Sequence, residues 1–304
     1  MSVAPCLASP PVVPTYAYLH DLMAQYQIKD LVKVSPEAFT RTIGGFLQGR
    51  DSAGKPFEHS HGPGSLSGGF QWGHHHDFGE FGVPGRMGKH HMSMLKVFMD
   101  DLGVLPRSLD GLRVLDIGCW TGGTSLLLRA MGATVVAVEE VKPYAECLAY
   151  LCHAFDLDDI DVRTISLYDC REQEFQDAFD IVLLTGVLHH VSDPKLALRI
   201  LFNCLKDTGR CLIETVAITP ETLIAECERL AAGGSVEGRD DLIWNRLLFL
   251  PENLTAMMAS VGYDVIHPGQ AIRFKTPHER FFVVGQRNAH VDLRRNGLSV
   301  RDIR

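Results

Sequence analysis

Val114-Leu115-Asp116-Ile117-Gly118-Cys119-Trp120-Thr121-Gly122-Gly123 is an apolar strand that runs into a glycine-containing turn and then a helix. Glycine at 118 and 122 lets the backbone turn and approach a ligand without a Cβ clash, while Asp116 can fix the turn or receive a positively charged ligand group. The stretch reads as a ligand-binding strand-turn-helix. The elements on either side of it decide the fold.

Short apolar runs at Arg113 to Ile117, Thr134 to Glu139, Val162 to Ile165, Phe179 to Leu184 and Arg210 to Val216 read as strands. Between them Thr124 to Met131, Tyr144 to Phe155 and Lys195 to Leu205 read as helices, and this alternation predicts a parallel sheet covered on both faces. Past Val216 the sequence predicts a helix at Thr222 to Ala231, a polar loop at Gly233 to Asp241, a helix at Pro251 to Val261 with proline at its start, and strands at Asp264 to His267 and Arg280 to Gly285. The expected architecture is a Rossmann-like, doubly wound α/β sheet of about seven strands.

On the N-terminal side, Tyr16 to Gln25 and Pro36 to Phe46 have helical patterning, and Lys89 to Leu102 suits a helix packed on a sheet. Gly49 to Gly88, rich in glycine, histidine and aromatic residues, has little periodicity, and long irregular segments of this kind are usually functional or mobile. The expected division is therefore an N-terminal extension over residues 1–102 acting as an active-site lid, a sheet domain over 103–290, and a tail over 291–304.

Two further elements join the glycine turn at the carboxyl ends of the strands, where open α/β sheets bind ligands. Glu139 ends the run Val135-Val136-Ala137-Val138, about twenty residues on, where a carboxylate accepts both ribose hydroxyls of a nucleoside; Glu140 is the rival one residue away. Leu167, Tyr168 and Asp169, after the third strand, stand where an adenine ring would lie. A dinucleotide fingerprint needs G-x-G-x-x-G, whereas these glycines stand as G-x-x-x-G-G with Trp120 in the crowded middle, so a nicotinamide dinucleotide is disfavoured.

With 46% hydrophobic and 22% charged residues among 304, the composition is that of a packed globular chain and indicates neither disorder nor a fibrous class. A formal net charge of -8 disfavours a nucleic-acid partner, which needs clustered Lys and Arg. The nearest basic cluster, Arg294, Arg295, Arg301 and Arg304, reads as a solvated terminus. The 8 cysteines show no zinc spacing and point to reduced thiols in a cytoplasmic compartment. The opening Met1 to Pro14 lacks a basic n-region, and no run of about 18 apolar residues occurs, so neither secretion nor membrane spanning is expected.

Leu115-Asp116-Ile117-Gly118-x-Trp120-x-Gly122, with Val138-Glu139, Phe179-Asp180-x-Val182, Gly186-Val187-Leu188-x-His190 and Asp193-Pro194, resembles the class I S-adenosylmethionine-dependent methyltransferases. Trp72-x-His74 leading to Val83-Pro84-Gly85, and Phe249-Leu250-Pro251 leading to Gly262-Tyr263, look most like the branch of the tRNA wobble-uridine carboxymethyltransferases. The resemblance covers roughly Gln71 to Gln286. It implies S-adenosylmethionine as cofactor, with Asp116, Gly118 and Gly122 around its methionine part, Trp120 among the binding residues of the same turn, Glu139 on its ribose and Leu167 to Asp169 at its adenine. Thr185, ending the fourth strand, joins that set, and Trp72 to Arg86 would close over the cofactor from outside the sheet. Where carboxymethyl-transferring members carry Tyr in a Gly-Val-Leu-Tyr-His motif, this chain has His189, which points to the ordinary, uncarboxylated donor.

Methyl transfer from an activated sulfonium needs mainly alignment and exclusion of water, with a base where the acceptor is a hydroxyl, phenol or acidic carbon. His189, His190 and Glu214 are the catalytic candidates. Only one of the two neighbouring histidines should face the site, and a salt-bridged structural acid is the competing reading of Glu214. His74, His75, His76, His90 and His91, with Asp77, Glu80 and Glu214, invite a metal reading, but three consecutive histidines do not readily meet one ion; a polar lid is the preferred reading, with no metal assigned. Arg86, Arg246 or Arg273 could hold an anionic acceptor, and Trp244 and Phe249 read as core.

The resulting expectation is a methyltransferase acting on a small-molecule acceptor, by O- or C-methylation in secondary metabolism. The acceptor would be held between Trp72 to His91, His189 and the Gly233 to Phe249 region, and self-association into a homo-oligomer is compatible. The alternatives are a tRNA wobble-uridine modifying enzyme and a non-catalytic cofactor-binding regulator.

Overall fold

The strand-turn-helix at Val114 to Gly123 sits at the centre of a seven-stranded sheet. The computed structural model describes residues 13–57, 69–217, 228, 250–272 and 279–288. Strands β3 (Arg113–Ile117), β4 (Thr134–Val138), β5 (Ile160–Arg163), β6 (Phe179–Thr185) and β7 (Leu205–Ala217) follow the apolar runs of the sequence. After them come helix α7 (Pro251–Val261) and strands β8 (Tyr263–Ile272) and β9 (Glu279–Arg287). The order across the sheet is β5-β4-β3-β6-β7-β9-β8. β3 to β7 run parallel, and β9 is antiparallel to both of its neighbours. The chain crosses outward from β3 to β5 on one side, then returns to place β6 beside β3, so the carboxyl ends of β3 and β6 flank the point where strand order reverses.

Helices cover both faces. α4 (Gly123–Ala130) and α5 (Lys142–Phe155) lie on one, and α6 (Pro194–Cys204) and α7 lie on the other. Alternation along each strand separates the two cores: Val114, Ile181, Leu183, Leu212 and Phe282 pack with α4 and α5, whereas Leu115, Ile117, Val182, Ile213 and Val283 pack with α6 and α7. α6 starts where Asp193 Oδ1 accepts from the Leu196 N–H at 2.9 Å, with Pro194 as its first residue.

The N-terminal helices α1 (Thr15–Met23), α2 (Pro36–Leu47) and α3 (His90–Lys96) bury Leu19, Phe39, Ile43, Phe46 and Leu95 in the same core as α4 and α5. Between α2 and α3 the sequence showed no periodicity, yet Trp72 to Gly88 is folded back on itself. A two-residue hairpin pairs β1 (His76–Asp77) with β2 (Gly82–Val83), and the Arg86 and Met87 N–H groups donate to the Trp72 and Gly73 carbonyls. The single helix expected from Lys89 to Leu102 is instead α3 followed by a π-helical turn at Val97–Asp101. The third strand begins at Ile160, not Val162, because Ile160 pairs with Val135 and is buried, and β7 starts at Leu205 through a bulge opposite Phe179. The helix expected at Thr222 to Ala231, the loop at Gly233 to Asp241, Trp244, Arg246, Phe249, Arg273 and the arginines of the tail lie outside the described residues. No described helix is long and apolar enough to cross a membrane.

Gly122 caps α4 in the left-handed region at φ 86°, and a Cβ there would lie 2.3 Å from Leu148 Cδ1 of α5. Gly122→Ala combines backbone strain with overpacking against a neighbouring helix. We expect it to lower the unfolding free energy by about 3 kcal/mol, read as a fall in the urea midpoint with the slope unchanged.

Candidate cofactor and acceptor site

The carboxyl edge of β3 and β4 is organised by one buried acid. Glu139 follows β4, and its two carboxylate oxygens accept from the Trp120 N–H at 3.0 Å and the Val141 N–H at 2.9 Å. Burial pushes its carboxyl up to about 7, against the pull of those two backbone donors. The Gly118 and Cys119 N–H groups donate to the Val138 carbonyl, so the glycine turn is tied to β4 at two further points. On β3, Asp116 turns toward α4 and accepts from Ser125 Oγ at 2.6 Å, and burial pushes it up to about 6.

Three residues of the turn are left-handed: Gly118 at φ 70°, Trp120 at 52° and Gly122 at 86°. For a residue with a Cβ this costs about 1–2 kcal/mol, and at Trp120 the surroundings hold it. Its ring packs edge-on against His74 at 5.6 Å and Tyr144 at 6.0 Å between centroids. Gly73 lies directly against the indole, since a Cβ there would be 2.5 Å from Trp120 Cδ2, and the Gly73 N–H donates to Thr121 Oγ1 at 3.1 Å. A Cβ on Gly123 would likewise lie 2.9 Å from the Cβ of His74. The segment from Trp72 to Gly88 is thus seated on the glycine turn.

The histidines of this segment form a buried, neutral cluster. The Trp72 indole N–H donates to His76 Nδ1 at 2.8 Å. Indole only donates, so that nitrogen is an acceptor, and the His74 carbonyl 3.1 Å from it gains no hydrogen bond. The His74 and His91 rings are 4.5 Å apart. Burial pushes His74 down to about 3, His76 and His90 down to about 4, and His91 well below its ordinary value. Among the described residues no group of three or more His, Cys, Asp and Glu is arranged to hold a metal ion.

Beyond β6 the edge divides by face. Thr185 pairs in register with Glu214. Glu214, fully buried, turns with Leu212 toward the α4 side and meets Arg280 Nε at 2.6 Å; Arg280 also lies 3.5 Å from His90 Nε2. Burial raises the Glu214 carboxyl, and the guanidinium opposes the shift. Thr215, next along the strand, takes the opposite face, where its hydroxyl is 3.0 Å from Nδ1 of the buried His189. His190 is exposed, its ring 4.1 Å from that of His189.

The structure therefore brings Asp116, Gly118, Trp120, Gly122 and Glu139 together and sets Thr185 one strand away. Leu167 is buried, Asp169 is exposed, and the hydroxyl of Tyr168 accepts from the Asp193 N–H at 2.9 Å, joining the loops after β5 and β6. Trp72 is buried, whereas Arg86 is exposed and donates to Gln71 Oε1 at 2.7 Å. The catalytic candidates do not form one cluster, since Glu214 and His189 sit on opposite faces. Ser125, Thr215 and Arg280, the partners of the buried Asp116, His189 and Glu214, were not singled out in those roles from sequence. Strand alternation beside Glu214 was the available signal for Thr215.

A family model described as a methyltransferase domain matches residues 96–268, more than half of the chain, and the chain belongs to that family. The ubiquinone biosynthesis O-methyltransferase of Pseudomonas entomophila (strain L48) is 30% identical over 118 residues, which are 38% of this chain and 50% of that protein. The chain spans about half the length of the curated relatives it matches. Among solved structures, phosphoethanolamine N-methyltransferase 2 of Haemonchus contortus, in complex with phosphomonomethylethanolamine and S-adenosylhomocysteine, superposes with a TM-score of 0.51 at 15% identity, over 66% of this chain and 55% of that one. The [4+2]-cyclase SpnF superposes with a TM-score of 0.50 at 15% identity, over 65% and 81%. These likenesses show the Rossmann-like methyltransferase fold.

The family's cofactor is S-adenosylmethionine, and the residues present fit it. Each Glu139 oxygen accepts one backbone N–H and keeps a lone pair for a ribose hydroxyl. At the end of β6, a Cβ built on Gly186 meets nothing within 4 Å among the described residues.

Docking of the Trp72 to His91 segment is expected to weaken in acid. In the docked form His74 binds a proton only near pH 3, His76 and His90 only near pH 4, and His91 only well below its ordinary range, whereas a released segment takes them up near 6.5. The docked form binds fewer protons between those values, so its stability is complete above 6.5 and is lost as pH falls, by up to about 1.4 kcal/mol per pH unit for each histidine. Hydrogen exchange of this segment, corrected for intrinsic rates, should show opening that rises between pH 7.5 and 5.5. A flat profile would refute the burial of these imidazoles.

Proposed function

We propose that this chain transfers the methyl group of S-adenosylmethionine to a hydroxyl group of a small-molecule acceptor. The observation that carries this reading is Glu139, a buried carboxylate clamped by two backbone N–H groups beside a turn held in the left-handed region. The relatives named as ubiquinone biosynthesis O-methyltransferases support oxygen as the acceptor atom.

Bound at this edge, the cofactor supplies an electrophilic methyl group on a positively charged sulfur. Gly118, Trp120 and Gly122 border its methionine part, and Asp116 adds a negative charge behind the turn. Glu139 takes the ribose diol, and Leu167, Tyr168 and Asp169 border the adenine. Thr185 lies toward the acceptor, and Trp72 and Arg86 belong to the segment that excludes water from above. On the acceptor side, Thr215 steadies the His189 ring through Nδ1, and that imidazole takes the proton of the acceptor hydroxyl. Glu214 is neutralised by Arg280 and acts by fixing that arginine beside His90. His190 stands at the solvent side of the same turn.

Ribose hydroxyls donating to Glu139 favour its ionised form, so cofactor binding should release a proton near neutrality. With the free acid near 7, affinity for S-adenosylhomocysteine should rise with pH from about 5 to 7 and level off above. Glu139→Gln should lower that affinity at least tenfold and abolish the pH dependence. Calorimetry in buffers of different ionisation enthalpy measures both, and unchanged affinity would contradict the ribose assignment.

Transfer of label from the donor methyl to a panel of phenols, catechols and uridine-containing oligonucleotides tests the acceptor class. His189→Ala should lower turnover on a hydroxylated acceptor by about 100-fold with cofactor affinity retained. Labelling confined to the oligonucleotides would replace this reading with a wobble-uridine enzyme, and binding without any transfer would favour a regulator.

A further inference from the structure

Trp120 occupies a position where the backbone would accept glycine more readily, because its φ of 52° is left-handed. Its backbone N–H holds Glu139, and its indole lies on Gly73 and against His74. One residue therefore touches two structures of different origin, the acid that closes the cofactor turn and the segment that covers it.

The coverage is reciprocal in shape. Gly73 has no room for a Cβ because of the indole, and Gly123 has little because of His74. The Gly73 N–H adds a hydrogen bond to Thr121, the residue after Trp120. Gly73 is itself clipped to Met87, so a shift of the indole reaches the chain leading into α3.

We propose that Trp120 is a positioning residue that couples the Trp72 to Gly88 segment to the cofactor: docking of the segment holds the turn in its left-handed form, and that form holds Glu139 ready for the ribose. The idea rests on the cofactor assignment above but adds a specific linkage. Coupling between two binding events is mutual, so the cofactor must tighten the segment by the factor by which the docked segment tightens the cofactor.

The test uses the full chain with S-adenosylhomocysteine as probe, reading affinity by calorimetry and the segment by hydrogen exchange. In the unmodified protein the probe should slow exchange over residues 72–88. Trp120→Gly suits the backbone angle yet removes the latch; it should weaken the probe at least tenfold, speed exchange over 72–88 and erase the probe-dependent protection there. Trp120→Phe should restore part of both effects. Gly73→Ala, which pushes on the indole from the other side, should weaken the probe about tenfold alone but less than twofold in the Trp120→Gly background.

Unchanged or tighter binding by Trp120→Gly would overturn the proposal. So would weaker binding with the segment still protected, because the indole would then act on the ligand directly. Failure of the unmodified protein to bind the probe would instead remove the cofactor assignment, an outcome separate from loss of coupling among variants that bind.

Discussion

A carboxylate with little access to water must find donors within the protein, and at the carboxyl edge of this sheet Glu139 finds them in the backbone. That requirement draws the chain after β3 over the end of β4, where Trp120 donates its N–H to Glu139 and turns the chain onward with a left-handed φ of 52°. The same turn makes Gly122 the first cap of α4 and seats that helix against α5. The N-terminal segment then packs on the outer side of the turn. Sheet, turn and cover thus share one point of contact.

The second constraint is strand alternation. Glu214 and Thr215 are adjacent, so their side chains leave the sheet on opposite faces, one to Arg280 and the other to His189. A sequence reading that groups His189, His190 and Glu214 by their common place after strands joins residues that serve different sides. The α4 face carries the Glu214–Arg280 ion pair beside His90; the α6 face carries His189, fixed by the Thr215 hydroxyl. The division separates the proton-moving role proposed for His189 from the anchoring role proposed for Glu214.

Much of this was legible in the sequence because it depends on local pattern. Apolar runs separated by helical stretches gave the sheet, and the glycine turn with an acid about twenty residues later gave two elements that the structure brings together at one edge. Pro251 to Val261 was read to the residue because proline starts it and glycine follows it. What escaped depends on contacts between distant residues. Gly73 looks like one more glycine in an irregular stretch until the indole of Trp120 is placed beside it. The hairpin of His76 and Val83 is too short to show periodicity, and the π turn at Val97 to Asp101 breaks no apolar pattern. Thr215 needed its face, and Arg280 its register opposite Val216, to be recognised as partners.

The charge state of the edge links these parts to chemistry. Asp116 and Glu139 are held near 6 and 7 by burial, so near neutrality each is poised between its two forms. A sulfonium brought to this edge would favour the ionised form of both, and two carboxylates would in turn favour the sulfonium over its neutral product. The histidine cluster contributes no opposing charge, because burial keeps His74, His76, His90 and His91 neutral. Arg280, which lies beside His90, is balanced by Glu214. The burial that costs these groups their ordinary ionisation thus leaves the buried groups beside the turn negative, the sign that favours a cationic methyl donor over a neutral thioether product.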